Sequence, residues 1–427
     1  MTVVCKNATH ESFSTSRRIQ STDEPTIVAS KRLVNSVPGT TSLAQGIVHW
    51  APPQQALDRV AKALADPTAT GIHSYGPDEG NPALREALRH KLVHKNNLPG
   101  YDVCVTAGAN QAFTNIVLAF LDPSDSIVLW LPYYFNHQMS IQMCGGGDNI
   151  IYGPCDPVTF HPNLDWLEKL LTDNGDINTD GEEKNKRKIP KMIVITNPCN
   201  PTGVLLSKEE LDRAASLCAK AGAWLVLDNT YEEFVFDDRE HYCPAGDNVL
   251  HLFSFSKAYG MMGWRVGYIA YPEDGSGKIA SELLKVQDTI PICVVQISQQ
   301  AALGALEAGS AWVSEQVEGL KINRKVILDA LEPVGTLGSG IAGGEGAIYL
   351  WAKLPEGCED DNLVVEWLVK KHKVCLIPGT ACGVPGHVRI GFANMEPVKC
   401  AEAAERLKAG MLELAEHGIA IVKKELA

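Results

Sequence analysis

The sequence has no long apolar run, no Cys-x-x-Cys pair and no excess of basic residues. No stretch of 18 or more apolar residues occurs, so no transmembrane helix is expected. Lys and Arg total 38 and Asp and Glu total 51, which gives a formal net charge of −13. Because nucleic acids and anionic membranes are also negatively charged, a chain with this net charge is not expected to bind them.

Residues 1–20 lack the apolar core of a secretory signal, so the 12 scattered cysteines are expected to be reduced thiols. This segment is rich in Ser, Lys and Arg, as organelle transit peptides are, but Glu11, Asp23 and Glu24 oppose that interpretation. We therefore expect a cytoplasmic location, with an organelle transit peptide left open.

Short apolar runs alternate with helical patterns along the first three hundred residues, as is typical of an α/β fold. Strands are predicted at 102–106, 127–131, 191–196, 223–227, 249–255 and 266–270, and helices at 83–94, 111–121 and 209–221. This alternation predicts a mostly parallel central sheet with helices on both faces. In such sheets, ligands bind beyond the carboxyl ends of the strands.

The pattern changes from about residue 300, where a second, smaller α/β layer is predicted. It comprises a long helical stretch at 297–331, a strand at 347–351, a helix at 362–372, a strand at 388–392 and a helix from 398. We expect residues 1–40 to be an irregular arm or tail. A small domain is expected to comprise 41–70 and 305–427, and a large domain 71–304.

Residues 172–191 are almost wholly polar and predict a surface insertion in the large domain, bounded at 170–191. Within them, Asp176-x-Asn178-x-Asp180-Gly181 imitates the start of a calcium loop. Arg187 stands where that loop requires a bidentate Glu, so no metal site is expected.

The segment around Lys257 is the most informative for chemistry. Lys257 follows a predicted strand and is flanked by Ser254, Ser256 and several glycines, with Arg265 eight residues later. Hydroxyls and a guanidinium suit a phosphate, and glycines allow close approach of the backbone to a ligand. A desolvated lysine near other cations has a lowered pKa and can form Schiff bases. A lone lysine is more often a surface charge, so this interpretation depends on its companions.

Three companions lie upstream. Asp228 directly follows the apolar run 223–227, and a carboxylate there needs a cationic partner, either an Arg or a protonated pyridine nitrogen. Tyr231 could reach the same ligand or serve in packing. The rigid turn of residues 197–203, Asn-Pro-Cys-Asn-Pro-Thr-Gly, can aim an Asn side chain at a ligand.

In this combination and order, the chain resembles the class I/II aminotransferases, pyridoxal-phosphate enzymes of fold type I. The resemblance covers residues 40–415 and rests on Ser-x-Ser-Lys-x-x-Gly, the Arg after it, Asp-x-x-Tyr and Asn-Pro-x-Gly. A closer likeness, to plant aromatic aminotransferases that use methionine as amino donor, lies in residues 45–50, 75–80, 106–113, 132–136 and 344–354. It implies that the large domain binds the cofactor.

The resemblance also implies catalytic roles. Lys257 would hold pyridoxal phosphate through a Schiff base and move the proton between the substrate α-carbon and the cofactor. Asp228 would pair with the pyridinium nitrogen and keep it protonated. Asn200 and Tyr231 would hydrogen-bond the cofactor 3-oxygen, and Tyr134 would stack on its ring.

Further implied roles concern the phosphate. Ser254, Arg265 and the backbone of Ala109 and Asn110, at a helix N-terminus, would bind it. Tyr75 would reach the phosphate of the neighbouring subunit, which implies a homodimer.

The substrate would be held by Arg389, clamping its α-carboxylate bidentately, with Asn200 and the backbone of Gly46 beside it. Some relatives with acidic substrates have a Lys where Asn110 stands, and no obvious substitute occurs here. The pocket candidates are apolar or aromatic, which favours large hydrophobic substrates: Ile47, Trp50, Tyr133, Tyr134 and Tyr349. Packing between the domains is an open alternative for Trp50 and Tyr349.

The expected function is a ping-pong exchange between an amino acid, methionine or aromatic, and an aromatic 2-oxo acid. Phenylpyruvate, 4-hydroxyphenylpyruvate and indole-3-pyruvate are the expected acceptors. A C–S β-lyase or cyclase of the same fold shares Lys257, Asp228 and Arg389 and stays open as the alternative. A ligand-sensing regulator would need a DNA-binding domain for which about 40 residues are too few. A nicotinamide-binding protein is opposed by the lack of G-x-G-x-x-G after the first strand of a βαβ unit.

Overall fold

The computed structural model describes residues 14–68, 70–172 and 189–427. The calcium-like pattern and most of the predicted surface insertion, at 173–188, lie outside the described residues, as do residues 1–13. Among the described helices, none is long and apolar enough to cross a bilayer. The cytoplasmic location stays a prediction.

The strands of the described chain number fourteen, in two larger sheets and one short pair. They are β1 (Thr41–Ser42), β2 (Tyr101–Thr106), β3 (Ile127–Trp130), β4 (Ile150–Gly153), β5 (Met192–Thr196), β6 (Trp224–Asp228), β7 (Val249–Ser254), β8 (Gly267–Pro272), β9 (Thr336–Leu337), β10 (Gly340–Gly343), β11 (Tyr349–Lys353), β12 (Val374–Cys375), β13 (Ile377–Pro378) and β14 (His387–Gly391).

The α-helices of the same residues also number fourteen. They are α1 (Arg17–Gln20), α2 (Thr26–Ser36), α3 (Gln54–Ala65), α4 (Pro82–His94), α5 (Ala109–Phe120), α6 (Phe135–Met143), α7 (Leu164–Thr172), α8 (Lys208–Ala221), α9 (Lys278–Thr289), α10 (Gln296–Glu307), α11 (Gly309–Leu331), α12 (Asp361–Trp367), α13 (Pro397–His417) and α14 (Ile419–Leu426). The elements predicted between residues 83 and 270 are confirmed, with ends shifted by one or two residues.

The large sheet has the strand order β2-β8-β7-β6-β5-β3-β4 within the described chain. Its strands are parallel except β8, which is antiparallel to both β2 and β7. Alternating side chains of β5 enter different cores: Met192 and Val194 pack in the core that includes α5 and α9, whereas Ile193 and Ile195 pack in that of α7 and α8. Because both faces are covered by helices, the central strands are apolar on both sides, and the predicted mostly parallel sheet is confirmed.

The smaller sheet has the order β13-β14-β11-β10-β9 and is mainly antiparallel. The short strand β1 pairs in parallel with β12, so the chain just before residue 45 is tied to the C-terminal part. The domain boundaries given above stay a prediction.

Two sequence-based expectations were wrong. Residues 17–20 and 26–36 are helical rather than irregular, and α2 packs Ile27, Leu33 and Val34 against the main core. Helix α2 follows Pro25 without a side-chain cap, and it has no acidic residue in its first turn and no basic residue in its last, so the sequence carries no start or stop signal for it. The single long helix expected at 297–331 is two helices, because Gly309, with φ of +79°, breaks it.

Candidate active site

A cavity of about 230 Å³ lies at the carboxyl ends of the central parallel strands. Thr196, Asp228 and Ser254, the last residues of β5, β6 and β7, all line it. The parallel topology brings these strand ends to one edge of the sheet, where ligands bind in such folds. The predicted site residues that line the cavity are Gly46, Ala109, Asn110, Tyr134, Asn200, Asp228, Tyr231, Ser254, Lys257, Arg265 and Arg389.

Lys257 lies in the turn after β7 and lines this cavity together with Arg265 and Arg389. Desolvation lowers the pKa of Lys257 to about 8, and the charges of Arg265 and Arg389 act in the same direction, whereas Asp228 opposes them. About a tenth of the amine is therefore neutral at pH 7, far more than for an ordinary lysine, and a neutral amine is the form that attacks a carbonyl group.

Asp228 is buried, with 4% of its surface exposed. Its Oδ2 lies 3.0 Å from Nε2 of His137, and its Oδ1 accepts a hydrogen bond of 3.0 Å from the backbone N–H of Thr230. Burial alone would raise the pKa of Asp228, but the hydrogen bonds from His137 and Thr230 outweigh it and the pKa is lowered. The result is a buried anion facing the cavity, suited to a cationic ring nitrogen.

The hydroxyls of Tyr231 and Tyr349 are 2.5 Å apart. Both rings are almost fully buried and meet edge to face, with centroids 5.5 Å apart. Burial, followed by the proximity of Tyr349, raises the pKa of Tyr231 well above its usual value. Tyr231 is therefore a neutral hydroxyl able to donate a hydrogen bond.

An anion cradle forms where α5 begins. Gly108 precedes the helix with φ of +87° and provides no side-chain cap, so the first N–H groups of α5 are open to a ligand. The positive φ at Gly108 favours glycine, and a Cβ atom there would lie 2.4 Å from Nη2 of Arg265, so any other residue would displace that guanidinium. Arg265 donates to the carbonyl oxygens of Ala107 and Met262, at 3.1 and 2.9 Å, which fixes its guanidinium at the cavity wall. A helix N-terminus beside a guanidinium and serine hydroxyls suits a phosphate.

Arg389, on β14, also lines the cavity. It is 1% exposed, and its two Nη atoms donate to Oδ1 of Asn200 at 2.8 Å and to the carbonyl oxygen of Ala44 at 2.6 Å. Its Nε has no hydrogen-bond partner within the described chain. A buried guanidinium with an unpaired N–H fits a ligand carboxylate.

Three predicted residues lie outside this cavity. Trp50 is buried, donates from Nε1 to the carbonyl oxygen of Ala258 at 3.2 Å and stacks on Phe234, so its ring supports the turn after Lys257 rather than lining the cavity. Tyr75 is 82% exposed, and its predicted role concerns a second subunit. Tyr133 lines a neighbouring cavity and stacks on Tyr152.

Sequence reasoning missed other lining residues. Ile27 reaches the cavity from α2, in a segment expected to be irregular, and Phe135 reaches it from the start of α6. His137 supports Asp228 from the same helix, but a single histidine on a helix carries no pattern that could have identified it. The apolar pocket candidates Ile47 and Tyr349 do line the cavity.

The fold and this site define a member of the aminotransferase class I and II family, and a profile of that family matches residues 41–407. The chain belongs to this family, whose members are pyridoxal-phosphate enzymes, and both the predicted family and the fold are confirmed. It is 48% identical over 404 residues to the aromatic aminotransferase ISS1 of Arabidopsis thaliana, covering 95% of this chain and 98% of that protein.

Solved structures give the same result for the fold. Aspartate aminotransferase from Thermus thermophilus with maleate matches with a TM-score of 0.80 at 26% identity, over 93% of this chain and 100% of that one. The aromatic aminotransferase from Pyrococcus horikoshii OT3 matches with a TM-score of 0.75 at 27% identity, over 93% of this chain and 100% of that one.

Proposed function

We propose that this enzyme transfers an amino group between a hydrophobic amino acid, methionine or aromatic, and an aromatic 2-oxo acid by a ping-pong mechanism. Phenylpyruvate, 4-hydroxyphenylpyruvate and indole-3-pyruvate are the proposed acceptors. Lys257, Asp228 and Arg389 line one cavity, an arrangement that suits pyridoxal-phosphate chemistry in a transaminase or a lyase alike. The observation that carries the proposal is the 48% identity to an aromatic aminotransferase, which supports amino-group transfer and an aromatic substrate class.

The residues present fit pyridoxal phosphate. The N-terminus of α5, with Ser254 and Arg265, would hold the phosphate, and Asp228 would pair with the ring nitrogen. Tyr134 would stack on the ring, while Asn200 and Tyr231 would hydrogen-bond its 3-oxygen. When bound, the cofactor supplies an electron sink for the electron pair left when the substrate Cα–H bond breaks.

The chain itself supplies positioning and proton transfer. Arg389 would bind the substrate carboxylate with its free Nε–H, with the backbone of Gly46 beside it. The amine of Lys257 would take the proton from the substrate α-carbon and deliver it to the cofactor. A pKa of about 8 places this amine close to the range in which one group can both accept and donate a proton.

The wall beside this carboxylate site is apolar and aromatic: Ile27, Ile47, Phe135 and Tyr349. Lys257, Arg265 and Arg389 are the cations among the described lining residues, and each has a proposed role. No cation of that lining is left for a side-chain carboxylate. Amino acids with hydrophobic side chains are therefore proposed as substrates in preference to aspartate and glutamate.

We also propose a homodimer in which Tyr75 reaches the phosphate of the partner subunit. Tyr75 lies beside Gly76, whose N–H donates to Sγ of Cys293 at 3.4 Å. Near Cys293 the surface exposes Ile290, Ile292 and Val295. A cluster of exposed apolar side chains beside an exposed tyrosine is typical of a contact surface.

The test is the absorbance of the holoenzyme mixed with a single amino acid and no 2-oxo acid. Methionine, phenylalanine or tryptophan should convert the visible band of the lysine-bound cofactor to the ultraviolet form, and aspartate should do so far more slowly. Turnover without any 2-oxo acid, with release of ammonia, would instead favour the lyase. A purified holoprotein without a visible band would contradict the proposed cofactor.

A further inference from the structure

Tyr349 joins two parts of the site. It begins β11, is 1% exposed, and its hydroxyl lies 2.5 Å from that of Tyr231. The guanidinium carbon of Arg389 lies 4.3 Å from the centre of the Tyr349 ring. One side chain therefore contacts both the tyrosine proposed for the cofactor and the arginine proposed for the substrate.

The direction of the hydrogen bond between the two hydroxyls decides what Tyr231 can do. A tyrosine hydroxyl has one proton to donate and can accept further hydrogen bonds on its oxygen. If Tyr231 donated to Tyr349, it would have no proton left for a ligand in the cavity. If Tyr349 donates to Tyr231, the proton of Tyr231 is free to point into the cavity.

We propose that Tyr349 is a positioning residue that donates its hydroxyl proton to Tyr231, so that Tyr231 donates its own proton to the 3-oxygen of the cofactor. This inference rests on the proposed function. A hydroxyl whose oxygen accepts a hydrogen bond becomes a stronger donor, because hydrogen bonds in a chain polarise one another. Tyr349 thus both orients Tyr231 and strengthens its contact with the cofactor.

The backbone keeps the Tyr349 hydroxyl in place. A Cβ atom at Gly46 would lie 1.9 Å from Oη of Tyr349, so only glycine leaves room for that hydroxyl. The other titratable and charged groups that line the cavity or act on the two tyrosines within the described chain are Tyr134, Asp228, Lys257, Arg265, Cys382 and Arg389. Phenylalanine substitutions at Tyr231 and Tyr349 leave all of these groups unchanged.

The test is a pH titration of the visible absorbance band of the holoenzyme. Hydrogen bonding from Tyr231 withdraws charge from the 3-oxygen, which then holds the proton of the neighbouring Schiff-base nitrogen less firmly. Tyr349→Phe should therefore raise the pKa of the Schiff-base nitrogen, which the visible band reports, by about half to one unit. Tyr231→Phe should raise it by more. The double variant should titrate like Tyr231→Phe alone, since Tyr349 acts through Tyr231.

Two further measurements separate this role from packing. Tyr349→Phe keeps the ring over Arg389, so kcat should fall while KM for the amino acid changes little. Tyr101→Phe is the matched control, because it removes another buried hydroxyl, bonded to the carbonyl oxygen of Gly246 at 2.9 Å, and should leave the band unchanged.

The inference is overturned if Tyr349→Phe leaves the pKa of the band unchanged while Tyr231→Phe raises it, or if the two effects add in the double variant. The proposed function would survive both results. A wild-type holoprotein without any visible band would overturn the proposed function as well.

Discussion

Nε2 of His137 lies 3.0 Å from Oδ2 of Asp228, and each side chain is only 5% exposed. His137 also packs against Phe113, with ring centroids 4.2 Å apart, which fixes the imidazole in this orientation. Tyr134 directly precedes the helix that carries His137. The segment where α6 begins thus places the Tyr134 ring at the cavity and, through His137, supports the carboxylate of Asp228.

We expect His137→Phe to weaken retention of the cofactor by about 10-fold or more, because Asp228 loses a charge-assisted hydrogen bond. The lowered pKa of Asp228 depends on that bond. A carboxyl with a lowered pKa in the folded state loses its contribution as pH falls through that pKa. Cofactor release on acidification should therefore begin at a higher pH in the variant.

Equilibrium dialysis of the cofactor across pH measures this effect. His161→Phe is the matched control, since it breaks a histidine–carboxylate contact of 2.6 Å with Glu210 away from the cavity. Equal cofactor release from wild type and His137→Phe at every pH would show that His137 does not support Asp228.

Lys257 should react with pyridoxal phosphate as a neutral amine at a much lower pH than an ordinary lysine. Because burial and two arginines lower its pKa to about 8, the association rate of the apoenzyme should rise with pH around a midpoint near 8. Borohydride reduction followed by peptide mapping would identify the labelled lysine. A midpoint near that of a free lysine, about 10.4, would contradict the lowered pKa.

Lys257→Ala is the companion variant. It should still bind the cofactor without a covalent link, should not be labelled by borohydride, and should lose transamination by many orders of magnitude. Near-normal steady-state turnover in this variant would refute the role of Lys257.

The positions of Asp228 and Lys257 could be predicted because each lies at or just beyond the carboxyl end of a buried strand, and parallel topology sets where such strand ends lie. Other contacts depend on packing between distant segments. Nothing near Trp50 in the sequence shows that its indole N–H donates a hydrogen bond to the carbonyl oxygen of Ala258. Ile27 reaches the cavity only because α2 forms, and no capping or terminal-charge signal marks that helix in the sequence. His137 acquires its partner only when α6 packs beside the end of β6.

Arg389→Lys should raise KM for every amino acid tested by about 10- to 100-fold, because lysine keeps the charge but loses the planar fork. Lysine also cannot reproduce the bonds to Asn200 and Ala44 with the same geometry. Steady-state kinetics with methionine, phenylalanine and tryptophan would measure the change. Arg324→Lys is a suitable control, since that arginine pairs with Asp237 outside the cavity. A rise confined to one substrate would argue against a common carboxylate clamp.

Tyr75 gives a direct test of the dimer. If Tyr75 completes the site of the partner subunit, Tyr75→Ala and Lys257→Ala impair different parts of each shared site. A mixed dimer of the two variants then has one site with both defects and one intact site, because Lys257 of one subunit meets Tyr75 of the other. Co-refolding equal amounts should restore roughly a quarter of wild-type activity, since half of the dimers are mixed and half of their sites are intact. Mixtures no more active than the average of the separate variants would show that Tyr75 does not act across an interface.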